Sequence, residues 1–216
     1  MQLDVKVAQL LCSRLCHDLV GSASAINAGL EMINDDPGDP TGPLDLMTSS
    51  AAQMTRRLAF FRVAFGLAEG ARGPANTTEI HDLATGLLKG GKVGVSWAGD
   101  ESNSAPKELS AEIGKVCLNL LLTASECLPR GGEIIVHLTE IPEGTGLAVE
   151  AHGQNARISD DMAAALVPGA GPDQLNVHNV HVYYAQSFAR ASGGEIECYA
   201  APSGNLVQIA VLFPQR

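Results

Sequence analysis

The chain has 216 residues, 45% of them hydrophobic, enough for one large domain or two smaller ones that each bury a core. A formal charge of −10 and a pI near 4.9 argue against a nucleic-acid-binding or anionic-membrane surface and favour a protein partner or a small ligand. No apolar run is long enough to span a bilayer, the charged start MQLDVKVAQLLCSRLC does not read as a secretory signal, and five cysteines without a CxxC pair fit reduced thiols; a cytoplasmic protein is expected.

The first predicted element is a helix within Leu10 to Ile33, LLCSRLCHDLVGSASAINAGLEMI. At about 100° of rotation per residue, Leu11, Leu15, Leu19, Ile26, Leu30 and Ile33 form one stripe, and His17 points away from it. Ser13, Arg14, Val20, Gly21, Ser24 and Ala28 surround the histidine on the exposed face. Most are small, so the imidazole stands clear and another protein's backbone can come close. Gly21 inside a helix costs about 1 kcal/mol against alanine, which suits access better than stability. A neutral imidazole offers a nucleophilic lone pair at about pH 7. Asp18 can accept the Nδ1 proton and leave Nε2 as the attacking atom. The competing reading is a solvated histidine beside an ordinary surface carboxylate.

Cys12 and Cys16 read as core-compatible thiols at helical spacing rather than metal ligands. The histidines at 81, 137, 152, 178 and 181 have no G-x-S-x-G serine to serve, and HNVH, His178 to His181, has half a metal spacing without H-E-x-x-H. His17 is expected to be the one histidine that combines an exposed helical face with an adjacent carboxylate.

NDDPGDPTGP, Asn34 to Pro43, is predicted to be a turn between helices. From Leu44 onward, Leu44, Met47, Ala51, Met54, Leu58, Phe61 and Phe65 follow the three-four spacing of a coiled-coil seam and predict a long second helix. Two helices cannot bury both sides of such a stripe, so a homodimer with a four-helix bundle is expected; the alternative is that the C-terminal half folds back over it. GLAEGARGPAN, Gly66 to Asn76, reads as a linker with a domain boundary near residue 72, giving a hairpin over 1–72 and a second domain over 73–216.

In the second half, APKELSAEIGKVCLNLLLTASECLP, Ala105 to Pro129, predicts an amphipathic helix. GEIIVHLTEI, GTGLAVEAHG, GGEIECYA and NLVQIAVLF predict strands. DQLNVHNVHVYYAQSFARASGG predicts a helix with a glycine stop. Helices on one face of a mixed sheet make this an α/β sandwich, and the whole chain α+β.

The segment LCSRLCHDLVGSASAINAGLEMI, followed by a helix ending RRLAFFRVAFG, resembles the ChpT-type histidine phosphotransferases, relatives of two-component histidine kinases. His17-Asp18-Leu19 matches the start of the kinase H-[ED]-L box, whose histidine is phosphorylated. Val20, Gly21 and Ser22 depart from its Arg-Thr-Pro continuation, which counts against kinase-type autophosphorylation and threonine-dependent phosphatase activity.

From about Ile80 onward the order of elements resembles a degenerate Bergerat-type histidine-kinase ATP-binding domain. Its N-box here reads NLLLTA, with Asn119 kept and Thr123 where a Mg²⁺-holding asparagine belongs. VEAHGQNA puts Ala151, Gly153 and Asn155 in register with D-x-G-x-G, so the adenine-binding aspartate is missing, and the lid becomes the bulky NVHNVHVYY. The resemblance therefore implies no cofactor on this chain, with Mg²⁺ on a receiver partner. It implies a phosphoryl group relayed through His17 from the receiver of a CckA-type hybrid kinase to CtrA- and CpdR-type response regulators. An active histidine kinase and a non-catalytic response-regulator adaptor are the alternatives.

Overall fold

Helix α1 (Val5–Asp35) and helix α2 (Thr41–Ala64) form an antiparallel hairpin at the start of the chain. The structure is a computed structural model and describes residues 4–36, 38, 40–66, 77–98, 109–167 and 169–215. The boundary near 72 and nearly all of the linker therefore lie outside the described residues. Asp4 caps α1 by accepting from the Lys6 amide at 2.7 Å. The turn is shorter than Asn34 to Pro43: α1 continues to Asp35, and α2 takes Pro43 into its first turn, where proline's missing N–H is no loss. The helices meet where Ser22 Oγ donates to Gln53 Oε1 at 3.0 Å and where Met47 lies against Gly29, in the space a Cβ would fill.

The predicted stripe is only partly an inner face. Leu11 is buried, but Leu30 is 47% exposed, as are Leu44 at 48% and Leu58 at 49% on α2. The aromatic end of the second helix is different. Phe60, Phe61, Val63 and Ala64 are buried in the same core as α1 residues Val7 and Leu11 and the C-terminal half of the chain.

That half contains α3 (Thr77–Leu88), β1 (Val93–Trp97), α4 (Ala111–Glu126), β2 (Gly132–Ile141), β3 (Gly144–His152), α5 (Asp160–Leu166), α6 (Val180–Ala191), β4 (Ile196–Ala200) and β5 (Leu206–Pro214), with a short 3₁₀ turn at Pro172–Gln174. The sheet order is β1-β2-β3-β5-β4. Only β1 and β2 are parallel, and α4 supplies the crossover that parallel neighbours require. Alternate residues Ile134, Val136 and Leu138, Leu147, Val149 and Ala151, and Val207, Ile209 and Val211 turn to the core under α4 and α6.

Two predicted helices are shorter than expected. Helix α4 begins at Ala111 because Ser110 Oγ accepts from the Ile113 amide at 3.2 Å, and 105–108 lie outside the described residues. Helix α6 begins at Val180, preceded by a turn in which Asn176 and Asn179 bond each other's backbone.

Helices α4 and α6 also hold the end of the hairpin. The last carbonyls of a helix have no partner within it. Here Asn119 Nδ2 donates to Ala64 O at 3.1 Å, Tyr184 Oη to Phe65 O at 3.3 Å, and Lys115 Nζ to Gly66 O. Lys115 also lies 5.3 Å from the centre of the Phe188 ring, and its positive charge suits a helix C-terminus.

Candidate functional site

His17 stands midway along α1 with 68% of its side chain exposed, and its Nδ1 is 3.2 Å from Asp18 Oδ1. A proton on Nδ1 donated to that carboxylate leaves the Nε2 lone pair facing solvent. Asp18 itself is only 14% exposed, because its Oδ2 accepts from Arg14 Nε at 2.8 Å, one turn earlier. Arg57 of α2 donates from Nη1 to the Asp18 backbone carbonyl at 2.6 Å.

Arg14 departs from its expected exposed position. It is 6% exposed, and its guanidinium crosses to the C-terminal half, donating to Glu126 at the end of α4 and, at 3.1 Å, to the carbonyl of Val177 before α6. Burial alone would lower its pKa; Glu126 and Asp18 outweigh that and hold it above the ordinary arginine value. Burial pushes the Glu126 carboxyl up, and Arg14 opposes the rise. A helical wheel drawn from the sequence puts Arg14 beside His17. It contains no hint that Glu126, far along the chain, covers that position.

Of the other residues expected around the histidine, Ser13, Val20, Gly21, Ser24 and Ala28 are exposed. Val20 is 57% exposed, and a Cβ at Gly21 would meet nothing within 4 Å. Cys12 and Cys16 are exposed free thiols, not core residues. Among the described residues no group of three or more His, Cys, Asp and Glu is placed to hold a metal ion, and no helix is long and apolar enough to cross a membrane.

The exposed His-Asp pair is not unique to position 17. His81-Asp82-Leu83 repeats the tripeptide on α3, with His81 Nδ1 3.5 Å from Asp82 Oδ1 and the histidine side chain 43% exposed. What distinguishes the two is the carboxylate. Asp82 is 75% exposed, whereas Asp18 is held by Arg14.

The residues aligned with the kinase ATP site have other contacts. Asn119 is fully buried, with Nδ2 shared between Ala64 O and, at 2.8 Å, Lys115 O. Thr123 is equally buried and donates back to Asn119 O at 2.8 Å. Ala151 is a core residue of β3, and Val180, His181 and Val182, in the place of the lid, pack into the core. Asn155 has a φ of 63°, in the left-handed region that asparagine tolerates.

The family described as histidine phosphotransferase C-terminal domain matches residues 77–204. The chain belongs to the histidine phosphotransferase family. This phosphotransferase is 32% identical over 192 residues to the protein phosphotransferase ChpT of Brucella abortus, covering 88% of each chain. It is similar to a solved bacterial phosphotransferase, with a TM-score of 0.80 and 26% identity over 98% of both chains. These likenesses make it a ChpT-type phosphotransferase with a role in phosphotransfer, carried on an α+β fold. The family model lies within the C-terminal half, whereas the likeness to the solved phosphotransferase, over 98% of the chain, takes in the hairpin and its histidine-bearing helix as well.

Proposed function

We propose that the phosphotransferase acts through His17, which takes a phosphoryl group from the phospho-aspartate of one receiver domain and hands it to the receiver of a response regulator. The observation that carries this reading is the arrangement Arg14, Asp18, His17: an exposed imidazole whose Nδ1 faces a carboxylate that is itself immobilised at its other oxygen.

In the transfer step the Nε2 lone pair forms the N–P bond while the P–O bond to the receiver's aspartate breaks, and the carboxylate leaves with that electron pair. The ring then carries a positive charge, and the Asp18 carboxylate stabilises it through Nδ1–H. Transfer to the next receiver is the reverse step. Phosphoryl transfer depends mainly on position and charge stabilisation. The receiver brings Mg²⁺ and cationic groups; this chain brings the oriented imidazole. ATP has no part in this scheme, a reading supported by Asn119 and Thr123 being turned to backbone carbonyls.

The donor and acceptors that the family resemblance supports are the receiver of a CckA-type hybrid kinase and those of CtrA- and CpdR-type regulators. Leu30, Leu44 and Leu58, each about half exposed in the single chain, support a homodimer joined through a four-helix bundle. A monomer in sedimentation at micromolar concentration would remove the dimer.

The deciding experiment is incubation with a phosphorylated receiver, followed by mapping of acid-labile phosphate. Label is expected on His17 and on none of the other histidines, His81 included. Label that survives His17→Gln overturns the proposal.

A further inference from the structure

His178 comes from the other half of the chain and stands over the phosphoacceptor. Its ring centroid is 6.4 Å from that of His17, with the two planes at 81°. No hydrogen bond joins the rings, and both are exposed. The backbone that carries His178 is held firmly. Its amide donates to Asn176 Oδ1 at 2.8 Å, the Asn176 amide donates to Asn179 Oδ1 at 2.8 Å, and Asn179 Nδ2 donates to Asp161 O at 3.0 Å and Gln174 O at 3.2 Å. Arg14 then fixes the preceding carbonyl, that of Val177, to α1. A turn with this many side-chain ties, docked on the helix that bears His17, presents one free imidazole toward another.

We propose that His178 is a phosphoryl-binding residue: as an imidazolium it contacts the phosphoryl oxygens of phospho-His17 from the opposite domain, favouring the phosphorylated form. The inference rests on the reading of His17 as phosphoacceptor. Both rings are exposed, and an imidazole whose centre lies 6.4 Å from that of His17 is within reach of the oxygens of a phosphoryl group carried there; an N⁺–H donor to a phosphate oxygen is among the stronger hydrogen bonds. Histidine suits this position because a protonated imidazole is at once a cation and a hydrogen-bond donor.

The charged and titratable groups about His178 are His17, Arg14 through its bond to the Val177 carbonyl, Glu126 on α4 and the buried His181 on α6; Asp18 is paired with Arg14 and His17, and Asp161 on α5 bonds the Asn176 side chain of the same turn. Arg14 is neutralised by Asp18 and Glu126. The group whose charge changes on phosphorylation is therefore His17 itself, which gains a dianionic substituent. Coupling is reciprocal. If phospho-His17 raises the pKa of His178, protonated His178 must favour phospho-His17 by the same factor.

The test uses the full-length protein with phosphoramidate, a small donor that phosphorylates imidazoles without a partner protein. The His178 ring is titrated by ¹⁵N-resolved NMR before and after labelling. Its pKa is expected to rise by roughly half to one unit, and phospho-His17 occupancy to fall about 3- to 10-fold as pH rises through that value. In His178→Gln the occupancy should lose that pH dependence, while the fold, read from unchanged methyl shifts, persists. An unshifted His178 titration, or an equal pH dependence in His178→Gln, overturns the inference and leaves His17 as phosphoacceptor intact. Absence of label on His17 overturns the phosphoacceptor reading, and this one with it.

Discussion

Arg14 Nε lies 2.8 Å from Asp18 Oδ2, and the same guanidinium donates to Glu126 on α4. The carboxylate that faces His17 is thus oriented by an arginine whose own position is set by the other domain. Removing Arg14 leaves Glu126 largely buried without its cation, and breaking such a pair costs about 3–5 kcal/mol when fully buried. With Glu126 28% exposed, the lower end applies. Arg14→Gln is expected to lower stability in urea by about 3 kcal/mol and, by freeing Asp18, to slow receiver-to-His17 transfer by roughly tenfold. A variant that loses stability but transfers at the parental rate would disconnect Arg14 from Asp18's function.

Asp18→Asn keeps the shape of the side chain and removes the charge beside Nδ1. Transfer to His17 should slow by about 10²–10⁴-fold, the range for a positioned proton-accepting group, while receiver affinity changes little. Single-turnover rates and a binding titration separate the two. Full-rate transfer in this variant would make Asp18 a surface carboxylate like Asp82.

The strands that alternate were legible in the sequence: β2, β3 and β5 coincide with the predicted runs to within a residue or so. β1, five residues with no clean inside-outside alternation, and the seven-residue α5 left no pattern to read. Helix α6 starts later than its apolar spacing predicts because the Asn176 and Asn179 side chains bond the local backbone in competition with a helix, an effect that spacing does not register. At the site, His17 and Asp18 were readable from one helix. Glu126, Val177 and His178 were not, since they reach it only through tertiary contact, and that contact also buried Arg14.

Asn119 marks a place where a kinase-like sequence position serves the hairpin. Its amide closes an orphan carbonyl at the end of α2 inside the core. Asn119→Ala leaves Ala64 O with no partner there and opens a small void. Stability is expected to fall by about 1–3 kcal/mol, read by thermal or urea unfolding, with phosphate still accepted by the folded fraction. An unchanged unfolding curve would refute the capping role.

His181 is fully buried, with neither ring nitrogen hydrogen-bonded and Nε2 3.6 Å from Glu126 Oε2. Burial, then the charges of Arg14 and His178, pull its pKa down from 6.5 to about 3. Between those values the unfolded chain binds a proton that the folded chain refuses. The sign follows: this contribution is whole above 6.5 and is lost as pH falls toward 3, at up to about 1.4 kcal/mol per pH unit. Glu126, raised by burial, acts in the opposite sense where it titrates. The clean measurement is therefore the difference between parent and His181→Leu. The parent should lose stability more steeply by one proton over this window; parallel acid limbs would contradict the assignment.

The docking face around His17 makes the sharpest separation between access and folding. Gly21 and Ser24 lie on the exposed side of α1 within two turns of the histidine, and nothing stands within 4 Å of a Cβ placed on Gly21. A side chain at Gly21 begins in open space and Ser24 is already exposed, so leucines there project outward from the hairpin, and replacing Gly21 raises helix propensity by nearly 1 kcal/mol. The Gly21→Leu, Ser24→Leu double variant should unfold at the same temperature as the parent or higher. A receiver, however, must bring its phospho-aspartate to hydrogen-bonding range of Nε2, and two added isobutyl groups beside the imidazole hold its backbone away. Transfer from the receiver should fall by about 10²-fold, the loss expected from a displacement of about 1 Å in the reacting geometry, while labelling by phosphoramidate, which needs no docking surface, stays near the parental rate. Equal transfer rates in parent and double variant, with the fold intact, would move the docking face elsewhere on the hairpin.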